Sequence, residues 1–278
     1  MIEPKYGMAL ITGASGGIGA AFARLLSAGG WSVILVGRDR RKLETTMASL
    51  HGPAAKKSTM IVADLSAQGA AQSLHSACRE RSLAVELLIN NAGSGLFGLC
   101  HELSIEKTEA MLGLNIVALS SLCALFARDM GAAGGGRILN VGSLAGNFAL
   151  PYFAAYAASK SYVLSFSLAL RAELKKSGIG VSCLLPGYVK TGFDEAAGIT
   201  SPAYRSFSES AGMSADAVAK AGLSALDADR PFTVAGFGNK AAALFGRLLP
   251  RSAMPALVKP FLDRMISANA ADEHGSRS

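Results

Sequence analysis

The feature that most narrows what this chain can fold into lies near its N-terminus. Met8–Thr12 (MALIT) is short and apolar, as a strand buried on both faces of a parallel sheet must be. Thr12–Gly19 (TGASGGIG) follows at once, and an alanine-rich helical pattern runs from Ala20 to Ala28. Strand, glycine turn and helix in that order form the context in which such a turn signals dinucleotide binding. Glycines let the backbone turn tightly and approach a pyrophosphate, whose charge is met by the N–H groups of the helix N-terminus. The spacing is G-x-x-x-G-x-G rather than the commoner G-x-G-x-x-G. A glycine turn with no ligand would read the same way, so function depends on what accompanies it.

A second pattern is Tyr156-Ala-Ala-Ser-Lys160, inside a helix-like apolar run. Residues four apart lie one turn above each other on the same helix face, which sets a phenol beside an ammonium. A fixed positive charge within reach favours the phenolate, so the expectation is a tyrosine able to exchange a proton near neutral pH. Tyr152 and Tyr162 are rivals, but the positions four residues later hold Tyr156 and Phe166. The Y-x-x-x-K spacing alone arises by chance in many helices.

The rest of the chain bounds the alternatives. Its 278 residues show no linker, charge block or repeat, which favours a single domain. Half of the residues are hydrophobic and 17% are charged, enough for a generous core. The net charge of +7 comes from scattered basic residues without an aromatic-interleaved patch. This argues against nucleic acid and for a phosphate-bearing ligand plus ordinary surface charge. Cys78, Cys100, Cys123 and Cys183 form no close pair and read as buried small hydrophobes in a reducing compartment. His51, His75, His101 and His274 lack metal-ligand spacing, so no metal site is expected. Met1–Gly7 leads straight into the first strand, with no signal peptide expected. The apolar stretch around Leu114–Ala127 reads as too short to span a bilayer, and the expectation is a soluble, cytoplasmic protein.

Taken in order, the Thr12–Gly19 turn, Asp64, Asn90-Asn91-Ala92-Gly93, Asn115, Ser143, Tyr156 with Lys160, and Pro186-Gly187 resemble the short-chain dehydrogenase/reductase family in its compact form. The resemblance covers roughly Met8 to Thr191. It implies an α/β fold with a doubly wound, Rossmann-type parallel sheet of about seven strands and helices on both faces. It also implies an oxidoreductase interconverting a carbonyl and a secondary alcohol. Tyr156 would be the proton donor and acceptor, and Ser143, thirteen residues earlier, would hydrogen-bond the substrate oxygen. Lys160 would lower the phenol's pKa and hold the nicotinamide ribose. Asn115 would kink its helix and position a water on the proton path.

For the cofactor, the resemblance points to Gly13, Ser15, Gly17, Ile18 and Gly19 around the pyrophosphate. Asp64 and Leu65 would lie at the adenine and Asn91, Ala92 and Gly93 beneath the cofactor. Pro186, Gly187, Val189 and Thr191 would lie at the nicotinamide end. About twenty residues after the glycine turn, where an acid would bind the ribose 2′-hydroxyl of NAD, the second strand (Trp31–Val36) ends at Gly37 and Arg38. A guanidinium there can pair with a 2′-phosphate, with Ser15 adding a hydroxyl, so NADP(H) is expected over NAD(H). Asp39 comes one step late and is expected to face away. The bland alternatives are that Arg38 starts a solvated helix, that Asp64 caps a helix beginning near Ala67, and that Asn115 is a locally satisfied core amide.

Further strands are read at Thr59–Ala63, Glu86–Ile89, Gly136–Val141, Ile179–Leu185 and, at an edge, Arg230–Val234, with a long helix over Ser104–Met130 and a capped one from Ser214. Gly192–Met213, rich in Gly, Ser and Pro, reads as a mobile lid or a disordered surface loop. Residues 1–238 are taken as the catalytic domain and 239–278 as an extension on it or at a subunit contact. In that tail Leu244, Phe245, Leu248, Leu249, Leu257, Val258, Phe261 and Leu262 alternate with Lys240, Arg247, Arg251, Lys259 and Arg264, and Pro250, Pro255 and Pro260 are expected to interrupt any long helix. It is similar to the tails of acyl or ketoacyl reductase-like members. Packing over the substrate cleft or a homo-oligomer contact is favoured over membrane contact. The expected partner is a small, hydrophobic carbonyl or alcohol. The other functional classes are a non-catalytic dinucleotide sensor and a membrane-surface interaction protein on the same fold.

Overall fold

Seven short runs rich in Val, Ile and Leu become strands: β1 (Met8–Thr12), β2 (Val33–Gly37), β3 (Thr59–Val62), β4 (Val85–Asn90), β5 (Gly136–Val141), β6 (Ile179–Leu185) and β7 (Phe232–Val234). The computed structural model describes residues 4, 7–199, 201–248, 250 and 252–275. Met1–Glu3, Lys5, Tyr6, Leu249 and Arg251, on which parts of the N-terminal and tail expectations rest, lie outside the described residues. The strands form one parallel sheet in the order β3-β2-β1-β4-β5-β6-β7, the doubly wound topology expected. The chain winds outward from β1 to β3, then crosses back to β4 and winds the other way. The crevice of an open α/β sheet opens where that direction reverses, between β1 and β4.

Side chains alternate between the two faces, and each face carries its own core. Leu10, Ile34, Leu88, Ile138 and Val181 point to one side, under α3 (Ala70–Glu80), α5 (Leu119–Ala132) and α6 (Ala154–Leu174). Ile11, Leu35, Ile89, Leu139 and Leu184 point to the other, under α1 (Gly17–Ala28), α2 (Arg40–Ala48) and α9 (Ala215–Asp227). Each fully buried Leu, Ile or Phe contributes about 1.5–3 kcal/mol, so the sheet is anchored by both layers.

Several local expectations are corrected. The second strand begins at Val33 rather than Trp31, and the helix after Asp64 begins at Ala70 with Gly69 as its cap. Asp64 instead closes a turn, accepting from Ser66 N (3.0 Å) and Ser66 Oγ (2.7 Å). The long helical run is α4 (Ile105–Leu112), a π-helical turn over Gly113–Ala118 and α5, together 28 residues from Ile105 to Ala132. By length and composition that run could cross a membrane, contrary to the expectation, but Leu119, Leu122, Phe126 and Met130 spend its apolar face on the sheet. Cys78, Cys123 and Cys183 are buried as expected, whereas Cys100 is exposed.

The stretch read as a lid or disordered loop carries two helices, α7 (Phe193–Ala196) and α8 (Pro202–Ala211), with Thr200 between them outside the described residues. Ser201 caps α8 by accepting from Tyr204 N, and Pro202 sits at the first helical position, where its missing N–H costs nothing. In the tail, α10 (Phe237–Leu248) and α11 (Ala253–Gly275) flank Pro250, but α11 continues through Pro260. Pro255 lies in the first turn, whose N–H groups have no intrahelical partner, so only Pro260 forfeits a backbone bond. Ala243 of α10 is buried in the core that includes Leu10 and Leu88.

Candidate active site at the carboxyl ends of the strands

Ser143 leaves the end of β5 with an extended backbone, and its Oγ accepts from Ala145 N (3.1 Å) to cap the following turn. Leu144 N donates to Pro186 O (2.7 Å), tying this turn to the end of β6. Gly146 lets the turn lie against α6, since a Cβ there would come within 2.6 Å of the Lys160 carbonyl carbon. That contact places Ser143 facing the first turns of α6, where Tyr156 and Lys160 are both buried. The Lys160 ammonium lies 5.9 Å from the Tyr156 ring centroid and donates to Val141 O (3.1 Å).

The electrostatics differ from the expectation. Burial pushes the Tyr156 phenol up to about 12; the hydrogen bond with Ser143 lowers it, and the Asp194 charge adds to the rise. Burial also pulls Lys160 down to about 8. In this structure desolvation of both groups outweighs the attraction that the i, i+4 spacing suggests.

Asn115 sits in the π-helical turn, a mid-helix distortion of the kind expected at that position. Its Oδ1 accepts from Ser94 N (3.0 Å), and its Nδ2 donates to Ser94 O and Ser159 Oγ (both 3.0 Å). Ser159 in turn donates to Tyr156 O (2.7 Å), so Asn115 is braced against the backbone of α6. A Cβ on Gly93 would lie 3.2 Å from both Asn115 Oδ1 and Lys160 Nζ, and glycine keeps that space open.

The glycine turn fits a dinucleotide. Gly13 (φ 66°) and Gly17 (φ 52°) adopt backbone conformations that favour glycine. At Gly19 a Cβ would stand 2.2 Å from the Gly13 carbonyl oxygen, so the turn can close only on glycine. The α1 N-terminus has no side-chain cap and no acid in its first turn, leaving its N–H groups to an anion. Thr12 Oγ1 accepts from Asn91 N (3.0 Å) and Ala92 N (2.9 Å), and Asn91 Nδ2 donates to Thr12 O (2.9 Å) and Gly13 O (3.2 Å). These bonds lock the β4 end to the turn across the switch point.

The remaining predicted residues ring the same edge. A Cβ on Gly17 would meet Thr191 at 3.1 Å, bringing the loop after β6 over the turn, and Val189 bridges to Met213. A Cβ on Gly187 would collide with Asn239 of α10 at 2.5 Å. At the other end Ser15 Oγ lies 3.3 Å from where a Gly37 Cβ would be. Arg38 is exposed beside it, and Asp39 is occupied in capping α2 through Lys42 N (3.1 Å). The Ser66 hydrogen bonds hold the Asp64 carboxyl below its usual range, and the nearby Arg38 charge helps. Ile18 and Leu65 serve largely as core contacts.

The wall in front of Tyr156 draws largely on the stretch read as a lid and on the tail. Phe153, Tyr156, Ala197, Ile199, Tyr204 and Leu262 form one buried cluster. The Tyr156 ring lies 5.5 Å from Phe193 and 5.9 Å from Phe153, and Tyr204 donates to the Tyr188 hydroxyl (3.3 Å). Phe153 and Phe97, whose rings lie 5.0 Å apart, were not singled out in the sequence, whereas Leu262 was one of the apolar tail residues. Tyr152, the rival tyrosine, has φ 63° and donates to the Asp263 carboxylate on α11, which Lys259 also binds (2.8 Å). Tyr162 is exposed and hydrogen-bonded with Ser120.

Residues 7–200 match the family model of short chain dehydrogenases. Nodulation protein G of Rhizobium sp. (strain N33) is 35% identical over 191 residues, covering 69% of this chain and 76% of that protein. A ketoacyl reductase of Nostoc is 30% identical over 194 residues, 69% of this chain and 67% of the relative. Among solved structures, a short-chain dehydrogenase from Sphingobium yanoikuyae in complex with NADPH superposes with a TM-score of 0.74 at 30% identity, covering 87% of this chain and 93% of the other. One from Burkholderia phymatum in complex with NAD gives 0.76 at 27% identity, covering 87% and 93%. A nicotinamide dinucleotide is thus the cofactor class of this scaffold, and the chain belongs to the short-chain dehydrogenase family of oxidoreductases.

Proposed function

We propose that this protein is an NADP(H)-dependent reductase of hydrophobic ketones, aldehydes or acyl carbonyls, working also in reverse on secondary alcohols. The observation that carries the proposal is the convergence of Ser143, Tyr156 and Lys160 at the open edge of the sheet, with the glycine turn on one side and an aromatic wall on the other. The bound nicotinamide would supply or accept the hydride. Tyr156, a neutral phenol at physiological pH, holds the proton that a reduced carbonyl oxygen needs. Ser143 hydrogen-bonds that oxygen as charge develops. Lys160 would hold the nicotinamide ribose, and Asn115 positions the turn of α6 that carries Tyr156.

The choice of NADP(H) rests on an exposed Arg38 directly after Gly37, against which Ser15 lies, with Asp39 committed to its cap. The hydrophobic substrate rests on Phe153, Tyr188, Phe193 and Tyr204. Similar solved structures include a bulky-bulky ketone specific alcohol dehydrogenase from Comamonas testosteroni, at 27% identity and a TM-score of 0.70, covering 87% of this chain and 91% of the other. Residues 1–238 act as the catalytic domain and 239–278 as an extension on it, in a cytoplasmic homo-oligomer; the four free thiols suit a reducing compartment.

Titration of the purified protein with NADPH and NADH tests the cofactor assignment. A hydrogen bond to a charged group contributes roughly 1.5–3 kcal/mol, or about ten- to a hundredfold in affinity. NADPH should bind tighter by that factor, Arg38→Ala should narrow the gap, and Gly37→Asp should reverse it. Equal or tighter binding of NADH by the unmodified protein would exclude the assignment.

A further inference from the structure

We infer that the outer face of α10 docks on an anionic lipid surface, a function independent of the catalytic reading. The helix has two apolar faces where one would suffice. Its inner face is spent: Asn239 rests on Gly187, Ala243 is buried in the core, and Gly246 lies so close to the Phe148 ring that a Cβ would collide at 1.9 Å. The opposite face presents Phe237 (89% exposed), Leu244 (63%) and Phe245 (62%), at positions that helical periodicity stacks on one side. Isolated exposed apolar residues need no explanation, but three large ones along one face of a single helix mark a contact surface.

Charge identifies what that contact is. From Phe237 to Arg264 the sequence carries five basic residues and one acid, and α10 itself has Lys240 and Arg247 with no acid at all. A second copy docked two-fold on this face would bring the α10 cations of both copies together with no acid on the helix to offset them. An anionic bilayer is attracted to them instead, each lysine or arginine near its surface strengthening binding about fivefold. An apolar face with basic flanks is the composition of helices that lie in the headgroup layer. The inner face of α10 rests on loops leaving β5 and β6, so docking would set the open edge of the sheet beside the bilayer.

The test is co-sedimentation of the full chain with vesicles of phosphatidylcholine alone and of phosphatidylcholine with phosphatidylglycerol, alongside light scattering of the protein by itself. Binding is expected to the anionic vesicles, weakening as salt rises and on Lys240→Glu. The double variant Leu244→Ser/Phe245→Ser should lower the partition coefficient about tenfold or more while keeping dinucleotide affinity, which verifies its fold. Failure to sediment with anionic vesicles, or undiminished binding by the double variant, overturns the inference. A dimer that the double variant splits, without lipid binding by the parent, overturns it in favour of a subunit contact.

Discussion

Replacing Lys160 by Met should make the protein more tolerant of neutral pH while abolishing its use as an enzyme. Lys160 is 5% exposed, and its ammonium donates one hydrogen bond to Val141 O and has no salt bridge among the described residues. Burial lowers its pKa from 10.5 to about 8. At about 1.4 kcal/mol per unit, the folded protein carries a penalty of roughly 3 kcal/mol for holding that charge. Below pH 8 both folded and unfolded chains keep the proton, and the whole penalty is present. Between about 8 and 10.5 the unfolded chain binds more protons than the folded one, so this group's contribution to stability rises with pH. Lys160→Met removes the titration, so the stability of the parent relative to the variant should climb by roughly 2–3 kcal/mol between about pH 7 and about pH 10. Urea denaturation of both proteins across that range reads the difference directly, and other lysines cancel. A gap that stays constant with pH would refute the claim that Lys160 is held charged against a desolvation cost.

Gly19→Ala should weaken dinucleotide binding by more than about tenfold and cost about 1–3 kcal/mol, because its Cβ meets the Gly13 carbonyl and the Asn91 amide, which is pinned by hydrogen bonds to Thr12 O and Gly13 O. Cofactor titration and thermal melting check this, and wild-type values in both would contradict the cradle. Tyr152→Phe should raise KM for a hydrophobic ketone with kcat preserved, since it removes the hydrogen bond that ties Tyr152 to Asp263 and loosens α11, whose Leu262 packs in the Tyr156 cluster. A variant with unchanged KM would show that α11 does not shape the substrate wall.

The strands themselves were legible because buried parallel strands are continuous apolar runs, whereas the doubly wound topology was implied by the family resemblance and the strand order comes from the structure. The stretch from Gly192 to Met213 was not legible, although its signals were present: Ser201 and Pro202 are a helix start, but glycine and serine nearby read as loop. Pro260 misled for the opposite reason, since tertiary packing around Leu262 carries a helix past a residue that local propensity would use to end it. The i, i+4 spacing of Tyr156 and Lys160 gave their adjacency correctly. It gave the wrong direction of the phenol's shift, because the burial of both groups is set by Phe153, Tyr204, Leu262 and the β5 end rather than by their own helix. The Tyr152–Asp263 contact joins residues 111 apart and left no trace in any local pattern.

The most direct test of the proposed chemistry is a single-turnover measurement of NADPH oxidation, with a bulky hydrophobic ketone, by the parent and by Tyr156→Phe. A positioned general acid contributes about 10²–10⁴-fold in rate. The variant should therefore slow by that factor while its affinity for NADPH stays unchanged, because the phenol's proton and not its ring is removed. A variant that reduces the ketone at nearly the parent rate would show that the proton comes from elsewhere and that Tyr156 is a wall residue like Phe153.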